Sequence, residues 1–546
     1  MLADSPATRA AESQQLRYAA ADANFASFPR TEQPVNDDED RFDDYRGNFS
    51  KTLKHNADAE VTRKSYRSLL DALDARTPAA FEAILIGRED DAKRVRLANP
   101  QGAFAYELSG LDSNASRIPV PPSLDSAVTE AEMAELYWYS VTRDIPFSTY
   151  GDRGIIQKAA DDLNAFSRCD IFARDETGIV TPATLFRGSI PDVGTAAGVL
   201  DGPFVSQFLL LPYQMGQLTV EQRYARVDSG EVNQFLTNFD DLLAVQRGRD
   251  PNARHPNGNA TTFRDGHRYL ARMRDLAEWV HRDHPQQAPT QALTIILGLG
   301  EAALDPDLPY LRRSSPVQSG FVTFGLAEIT HLMTMAVRQA LAGAWFQKWA
   351  CHRRLRPEQY GARLNVQLRG AKDYGLGSEL LHSKAFDRAC DENRLVNQTP
   401  TSEANDGLLP IAFPEGSPAH PAYPAGHSTA IAAGVTVLKA FVNESYQLPD
   451  PVVPNRGGTE LEAWTGATLT LGGELNKLVA NITHARDAAG MHWRSDGVGN
   501  IIGEEAAIAL LADYSRAHLE EFAGLTLVRF NGTRIRIVNG AVLPEA

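Results

Sequence analysis

Apolar residues recur at helical spacing along most of this chain, and turn-forming residues separate the patterns. The longest pattern covers Phe324–Arg354 and predicts one long helix. Pro357 disfavours helical backbone at the residue before it, so this helix is predicted to end near Arg356. Shorter patterns predict helices over Lys64–Ala75, Thr129–Val141, Arg264–His284, Gln291–Leu304, His427–Phe441 and Val498–Tyr514. A short strand at Phe104–Leu108 and a hairpin around Asn531-Gly532, with arms Leu525–Phe530 and Thr533–Val538, are the β-segments predicted.

The composition is that of a soluble globular protein, with 43% apolar and 23% charged residues among 546. The net charge of −15 argues against nucleic acid as a general partner. The longest strongly apolar run, near Ala292–Gly300, is too short to cross a bilayer. Because the first residues turn polar at once, without a basic and apolar leader, we expect no membrane association and a cytoplasmic location.

The three cysteines, Cys169, Cys351 and Cys390, are scattered along the chain. They cannot all pair within one chain, and their spacing fits no zinc site. A reducing compartment is the ordinary interpretation, and a disulfide between two chains is left open.

A proline-rich loop at Ser417–Ser428 carries the first candidate chemistry. Its three prolines keep the backbone extended, and Gly426 then opens a helix of small apolar residues. The first N–H groups of that helix point back at the loop, which makes an oxyanion site. His420 and His427 stand seven residues apart in the same loop.

Two further stretches offer cations and histidines. Lys348, His352 and Arg356 are spaced to form one stripe at the end of the long helix. Arg486 lies in the last turns of another predicted helix, which Gly490 is placed to cap. His492 follows that turn. Asp496 opens the next helix and is placed to face His492 as a carboxylate.

Together these stretches describe a hole for a tetrahedral oxyanion of charge −2 or −3. Lys348, Arg356 and Arg486 cannot ligate a divalent cation, but three fixed cations with helix-end amides suit such an anion. Asp496 can hold one ring nitrogen of His492 as a donor, which leaves the other nitrogen free as a ligand or nucleophile.

Three motifs in this order carry a family resemblance. Lys348-x7-Arg356-Pro357, Pro424-Ala-Gly-His427 and Arg486-x5-His492-x3-Asp496 resemble the motifs shared by vanadium-dependent haloperoxidases and phosphatases of the PAP2 superfamily. The segment His352-Arg-Arg-Leu-Arg-Pro-Glu358, the position of His420 and the segment Asn48–Asn56 are similar to the algal and bacterial bromoperoxidases. The similarity runs from about residue 40 to the final hairpin.

The resemblance implies an all-α fold built on helical bundles, with minor β-hairpins. It implies an N-terminal helical and loop region at 1–300 that packs on a vanadate-binding bundle region with the C-terminal hairpin at 301–546. The two are expected to form one compact unit. Relatives form dimers or larger rings, so a homo-oligomer is expected.

The resemblance also implies the role of each site residue. Vanadate, with vanadium(V), would be bound axially by His492, and its equatorial oxygens by Lys348, Arg356, Arg486 and the Gly426 amide. His427 would hydrogen-bond the apical oxygen or peroxide. His420 would tune proton transfer, and Lys348 would polarise bound peroxide. Trp345 and His420 would line the halide pocket. Asp496 and Ala425 would lie behind the residues that contact vanadate. The implied reaction oxidises bromide or iodide with hydrogen peroxide to hypohalous acid equivalents that halogenate a small organic acceptor.

Two departures from the family pattern and two other functions stay open. Ala425 and Ala485 stand where serines are usual, and Ala425 removes a hydroxyl donor, so looser vanadate binding is expected. The same hole would serve a PAP2-type phosphatase with His492 as nucleophile and His427 as general acid. A non-catalytic oxyanion-binding assembly protein is the other alternative. The organic substrate is not specified by the sequence.

Overall fold

The computed structural model describes residues 5–27, 33–88, 94–152, 154–188, 194–228, 233–250, 261–313, 315–398 and 405–545. Within these ranges the helices are α1 Pro6–Ser27, α2 Asp38–Arg41, α3 Arg63–Ala75, α4 Pro78–Glu82, α5 Ala127–Thr142, α6 Ile155–Leu163, α7 Phe239–Gln246, α8 Met273–Arg282, α9 Gln287–Gly298, α10 Leu326–Phe346, α11 Pro357–Leu368, α12 Lys384–Val396, α13 Gly426–Lys439, α14 Leu471–Ala488 and α15 Gly499–Ser515. The strands are β1 Tyr213–Met215, β2 Leu218–Val220, β3 Tyr224–Val227, β4 Phe263–Arg268, β5 Val452–Pro454, β6 Leu461–Ala463, β7 Leu525–Val528, β8 Arg534–Val538 and β9 Ala541–Glu545.

The strands form small antiparallel sheets, in the pairs β1–β2, β3–β4 and β5–β6 and the three-stranded sheet β7–β8–β9. The prediction of a helical fold with minor β-hairpins is therefore confirmed. The hairpin around Asn531-Gly532 is also confirmed, and β9 extends it by one strand.

Two local predictions are wrong. Phe104–Leu108 is not a strand, because the backbone forms a 3-10 turn over Pro100–Phe104 and then continues without a sheet partner. The predicted helix at Arg264–His284 begins only at Met273, since the preceding residues form β4 and pair with β3. Gly266, with φ of +86°, has a left-handed backbone inside that strand, which a helix does not allow.

The long helix also ends earlier than predicted. Regular α10 stops at Phe346, a π-helical turn covers Gln347–His352, and Arg353 takes a left-handed φ of 44°. The Arg353 side chain donates to the carbonyls of Trp349 and Ala350, at 2.9 Å each, and so satisfies acceptors that the broken helix leaves free. Pro357 therefore opens α11 rather than closing α10.

The centre of the molecule is a bundle in which α13 packs against α10, α14 and α15. α13 and α15 approach so closely that a Cβ added at Gly503 would lie 2.4 Å from the Thr429 carbonyl oxygen. Helices from the first 300 residues pack on the same bundle, with α5 and α8 against α14 and α9 against α13. None of the described helices is long and apolar enough to cross a membrane.

Candidate active site

The proline-rich loop runs directly into α13, as the sequence predicted. α13 begins at Gly426, and its first turn closes with a hydrogen bond from Thr429 N to Ala425 O of 3.1 Å. Ala425 N donates to Asp496 O at 2.8 Å, which ties the end of the loop to the His492 segment. The loop thus places His420, Gly426 and His427 in the wall of one pocket.

Arg356 joins the loop to the His492 segment. Its guanidinium donates to His420 O at 3.0 Å and Met491 O at 2.8 Å. The same group lies 2.9 Å from His492 Nε2 and 3.0 Å from His420 Nδ1. Lys348 reaches the loop as well, where its Nζ donates to the carbonyls of Pro421 and Ala422 at 2.7 and 2.8 Å.

Arg486 reaches the pocket from the last turn of α14. Its Nη1 donates to Val280 O at 3.0 Å, and its buried Nε has no hydrogen-bond partner among the described residues. α14 ends where predicted, because Gly490 takes a φ of +82° and Met491 N bonds back to Arg486 O at 3.0 Å.

His492 follows this turn and is held by Asp496. Its Nδ1 lies 2.7 Å from Asp496 Oδ2, and the same oxygen accepts from Trp493 N at 3.1 Å. Since Nδ1 donates to the carboxylate, Nε2 keeps its lone pair and faces the cations. Burial, Arg356 and Lys348 lower the pKa of His492 well below its ordinary value, so the ring is neutral.

The three cations are buried without a counter-ion. Within the described part of the chain, no carboxylate lies within 4.0 Å of the charged groups of Lys348, Arg356 or Arg486. Burial lowers the pKa of Arg356 to about 9 and of Arg486 to about 10, and it lowers the pKa of Lys348 well below its ordinary value. Unpaired buried cations are costly, so this donor set fits a multiply charged oxyanion.

A pocket lined by Arg486 has a volume of about 240 Å³ and an apolar wall, whereas Lys348 and Arg356 are fully buried and do not line it. Leu341, Ala288, Ile431 and Ile482 line the wall, with His420, His492 and Arg486 at the charged end. Trp345 also lines the pocket, and its ring lies 4.9 Å from that of His420.

His427 has a carboxylate partner that sequence reasoning missed. Its Nε2 lies 2.9 Å from Asp283 Oδ1, and the two residues are 144 positions apart. Asp283 follows α8 directly and lines the same pocket. No motif marks this aspartate, because only the packing of α8 against the bundle brings it to His427.

His352 does not belong to the predicted stripe. The π-helical turn and the left-handed Arg353 rotate it away from Lys348 and Arg356. Its Nε2 bonds to Gln347 Oε1 at 3.0 Å, and its ring packs edge-on against Tyr423 at 4.9 Å. His352 therefore supports the loop from behind, whereas Lys348 and Arg356 reach the site.

Sequence reasoning also missed the buried ion pairs that lie behind the site. Arg354 bridges Glu132 at 3.0 Å and Asp496 at 3.1 Å, so the carboxylate that holds His492 is itself fixed. Burial raises the pKa of Asp496 to about 6, and Arg354 opposes that rise. Lys51, in the segment that resembles the bromoperoxidases, lies 3.4 Å from the buried Glu358.

Comparisons with known proteins identify the family of this chain. Residues 328–518 match the family model described as the VCPO second helical-bundle domain. The vanadium-dependent bromoperoxidase of Ascophyllum nodosum is 32% identical over 492 residues, covering 88% of this chain and 84% of the relative. The vanadium-dependent bromoperoxidase of Corallina officinalis is 31% identical, covering 80% of this chain and 79% of the relative.

A solved structure extends the likeness over the whole fold. The homohexameric structure of the second vanadate-dependent bromoperoxidase from Ascophyllum nodosum superposes with a TM-score of 0.90 at 29% identity, covering 99% of this chain and 92% of that one. The relatives that it resembles here are bromoperoxidases. Because the first two relatives are more than 30% identical over most of their length, the chain belongs to the vanadium-dependent haloperoxidase family.

Proposed function

We propose that this chain binds vanadate and uses hydrogen peroxide to oxidise bromide and iodide to hypohalous acid equivalents, which halogenate a small organic acceptor. The observation that carries the proposal is a set of three buried cations, Lys348, Arg356 and Arg486, which all act on the neutral His492 ring and have no carboxylate within 4.0 Å in the described part of the chain. The bromoperoxidases among its relatives do not favour the phosphatase or the non-catalytic alternative.

The residues present fit vanadate, which is a tetrahedral oxyanion with more than one negative charge. Lys348, Arg356, Arg486 and the Gly426 N–H would hold its oxygens, and His492 Nε2 would bind the vanadium. When bound, vanadate supplies the Lewis acid that activates peroxide. Because the chain supplies fixed donors, little reorganisation is needed as negative charge develops on oxygen.

The histidines that line the pocket would control proton transfer. Asp283 accepts from His427 Nε2, which orients the ring and leaves Nδ1 for the pocket. The side chain of His427 is 30% exposed, so it can exchange protons with solvent. Burial, with Lys348 and Arg356, lowers the pKa of His420 well below its ordinary value, which keeps that ring neutral beside the cations.

Reconstitution of the purified chain with orthovanadate tests this function. Bromination of an acceptor with peroxide and bromide is compared with hydrolysis of an aryl phosphate, with and without vanadate. Vanadate-dependent bromination is expected. Aryl phosphate hydrolysis without bromination would overturn the proposal in favour of the phosphatase, and the absence of both reactions would favour the non-catalytic protein.

We also propose a homo-oligomer in a reducing, cytoplasmic compartment. The homohexameric relative supports the assembly, and three cysteines that are free within the chain suit reducing conditions. Light scattering coupled to size exclusion tests the assembly, and a particle of the 59.7 kDa chain mass would overturn it.

A further inference from the structure

A much smaller cavity than the candidate active-site pocket lies beside α14. Its volume is about 20 Å³. It is lined by Gly188, Val479, Thr483, His484, Asn500 and Phe530, among others. Nothing in the proposed reaction uses this cavity.

Three polar atoms of its lining have no hydrogen-bond partner among the described residues. They are Thr483 Oγ1, His484 Nε2 and Asn500 Nδ2. All three residues are at most 2% exposed, so bulk water does not reach these atoms. A buried polar atom without a partner is costly, and three around one cavity indicate a shared ligand.

The chemistry of the three atoms describes that ligand. His484 Nδ1 lies 2.9 Å from Asp487 Oδ2, and burial lowers the pKa of His484 to about 3, so the ring is neutral. Asp487 occupies Nδ1, so Nε2 is the ring nitrogen left for the ligand. The Asn500 amide presents a donor, and the Thr483 hydroxyl both donates and accepts. A ligand that both donates and accepts hydrogen bonds satisfies all three atoms.

The charges nearby do not suit an anion. Arg494 is the cation that lowers the pKa of His484, and its guanidinium forms an ion pair with Glu135. Since the cation is compensated, the cavity lacks the excess positive charge of the vanadate site.

We propose that this cavity is a binding site for one water molecule, held by Thr483, His484 and Asn500. A volume of about 10–15 Å³ is enough for one water, and such waters make about three hydrogen bonds. The water would join α14 to α15, since its partners lie on both helices. His484 precedes Arg486 by two residues, and Asn500 contacts the hydroxyl of Ser428, the neighbour of His427. The site is thus part of the frame that holds both residues.

Crystals of the vanadate-loaded protein, soaked in bromide, test the proposal. We expect one density peak within hydrogen-bond distance of all three atoms and no anomalous bromide signal there. A cavity without a peak, or a peak with bromide signal, would overturn the water site.

Gly188→Ala tests the site from the opposite wall. A Cβ at Gly188 would lie 3.6 Å from His484 Nε2 and 3.1 Å from Ala480 Cβ, so the methyl group takes the place of the water. The density peak should disappear and the thermal midpoint should fall by about 3 °C, because three buried atoms lose their partner. Gly298→Ala, at the end of α9 where a Cβ meets nothing within 4 Å, is the control and should not lower the midpoint.

Thr483→Val tests whether the loss of hydrogen bonds to the water, rather than steric strain from the added methyl group of Gly188→Ala, lowers the midpoint. Valine keeps the shape of threonine and removes one partner of the water, so a fall of about 1 °C is expected. Unchanged midpoints in both Gly188→Ala and Thr483→Val would show that these atoms need no ligand and would overturn the proposal.

Discussion

Lys51 and Glu358, which are 307 positions apart, form a buried ion pair of 3.4 Å beneath the proline-rich loop. Lys51 Nζ also donates to the carbonyls of Glu415 and Ser417. Glu358 Oε2 accepts from Ser417 N at 2.7 Å. The pair therefore fixes the start of the loop whose carbonyls receive Lys348 and Arg356.

We expect Lys51→Met to loosen the vanadate site without removing any residue of it. The substitution leaves Glu358 as a buried carboxylate without its cation, which costs about 3–5 kcal/mol of stability. With Ser417 less constrained, the acceptors of Lys348 and Arg356 shift, and the dissociation constant of vanadate should rise by at least about tenfold. Titration of the apoprotein with vanadate, followed by the recovery of bromination, measures this.

Lys64→Met is the control for Lys51→Met, because Lys64 is exposed on α3. It should match the unsubstituted protein in both stability and vanadate affinity. A Lys51→Met protein that is less stable but binds vanadate with unchanged affinity would show that the ion pair stabilises the fold alone.

The charged groups of the site could be predicted from sequence because the motifs fix their local backbone. Gly490 ends α14 and places His492 beside Asp496 whatever the rest of the fold does. That Arg486 and Arg356 share a site stays a prediction. The resemblance, rather than the periodicity, supplied that expectation, since no local pattern relates residues so far apart.

Two of the missed features depend on contacts between distant segments, and the third depends on a local contact of one side chain. Asp283 meets His427 only because α8 packs against the bundle, and its own sequence surroundings indicate nothing. The break after α10 was missed because Arg353 caps the helix through its own side chain, which periodicity does not record. The local pattern of β4 predicts helix, but its pairing with β3 outweighs that pattern.

His492→Ala should abolish vanadate retention and bromination while the protein stays folded. The substitution removes the Nε2 that faces the cations and leaves Asp496 bound to Arg354. Vanadium content after desalting and the bromination rate measure the loss, with circular dichroism to follow folding. His382→Ala, at an exposed position, is the control. Stoichiometric vanadium in the His492→Ala protein would rule out His492 as the ligand.

Glu505→Gln should stabilise the protein at pH 8 and have little effect at pH 4. Burial raises the pKa of Glu505 to about 7, and Glu504 adds to the rise against Arg529. The folded state therefore keeps this proton up to about pH 7, whereas the unfolded chain loses it near pH 4.5. The stability that the neutral form contributes is complete below pH 4.5 and is lost as the pH rises through 7.

Glutamine stays neutral, so the gain at pH 8 should be on the order of 1–2 kcal/mol. Thermal midpoints at pH 4 and pH 8 measure it, and Glu521→Gln, at an exposed position, is the control. An equal effect of Glu505→Gln at both pH values would contradict the raised pKa.

Ala425→Ser should tighten vanadate binding. Ala425 is buried directly before Gly426, and the hydroxyl nearest in sequence, that of Ser428, is used by Gly497 O and Asn500. A new hydroxyl that donates to a charged oxyanion is worth about 1.5–3 kcal/mol, or roughly ten- to hundredfold in affinity. Vanadate titration of Ala425→Ser beside Ala419→Ser, a buried control in the same loop, measures the gain. Equal affinity in all three proteins would mean that another group already donates there.

The arrangement of Trp345 and His420 leads to the prediction on halide choice. The two rings are tilted by 42° and lie 4.9 Å apart at the pocket wall, so Trp345 offers a polarisable face to a large halide. Chloride is harder to oxidise than bromide or iodide and needs stronger activation of peroxide. The neutral His420 ring accepts from Arg356, whose Nη2 lies 3.0 Å from His420 Nδ1, so that donor is not available to activate the oxyanion.

We therefore expect iodide and bromide to be oxidised and chloride to react weakly. Replacing His420 with phenylalanine removes the acceptor of Arg356 Nη2 and frees that donor for the oxyanion, so the ratio of chloride to bromide turnover should rise by about tenfold. Steady-state halogenation of one acceptor with each halide at matched pH measures the ratio, with His382→Phe as the exposed control. Chloride turnover equal to bromide turnover in the unsubstituted protein would contradict the first expectation, and an unchanged ratio in His420→Phe would contradict the second.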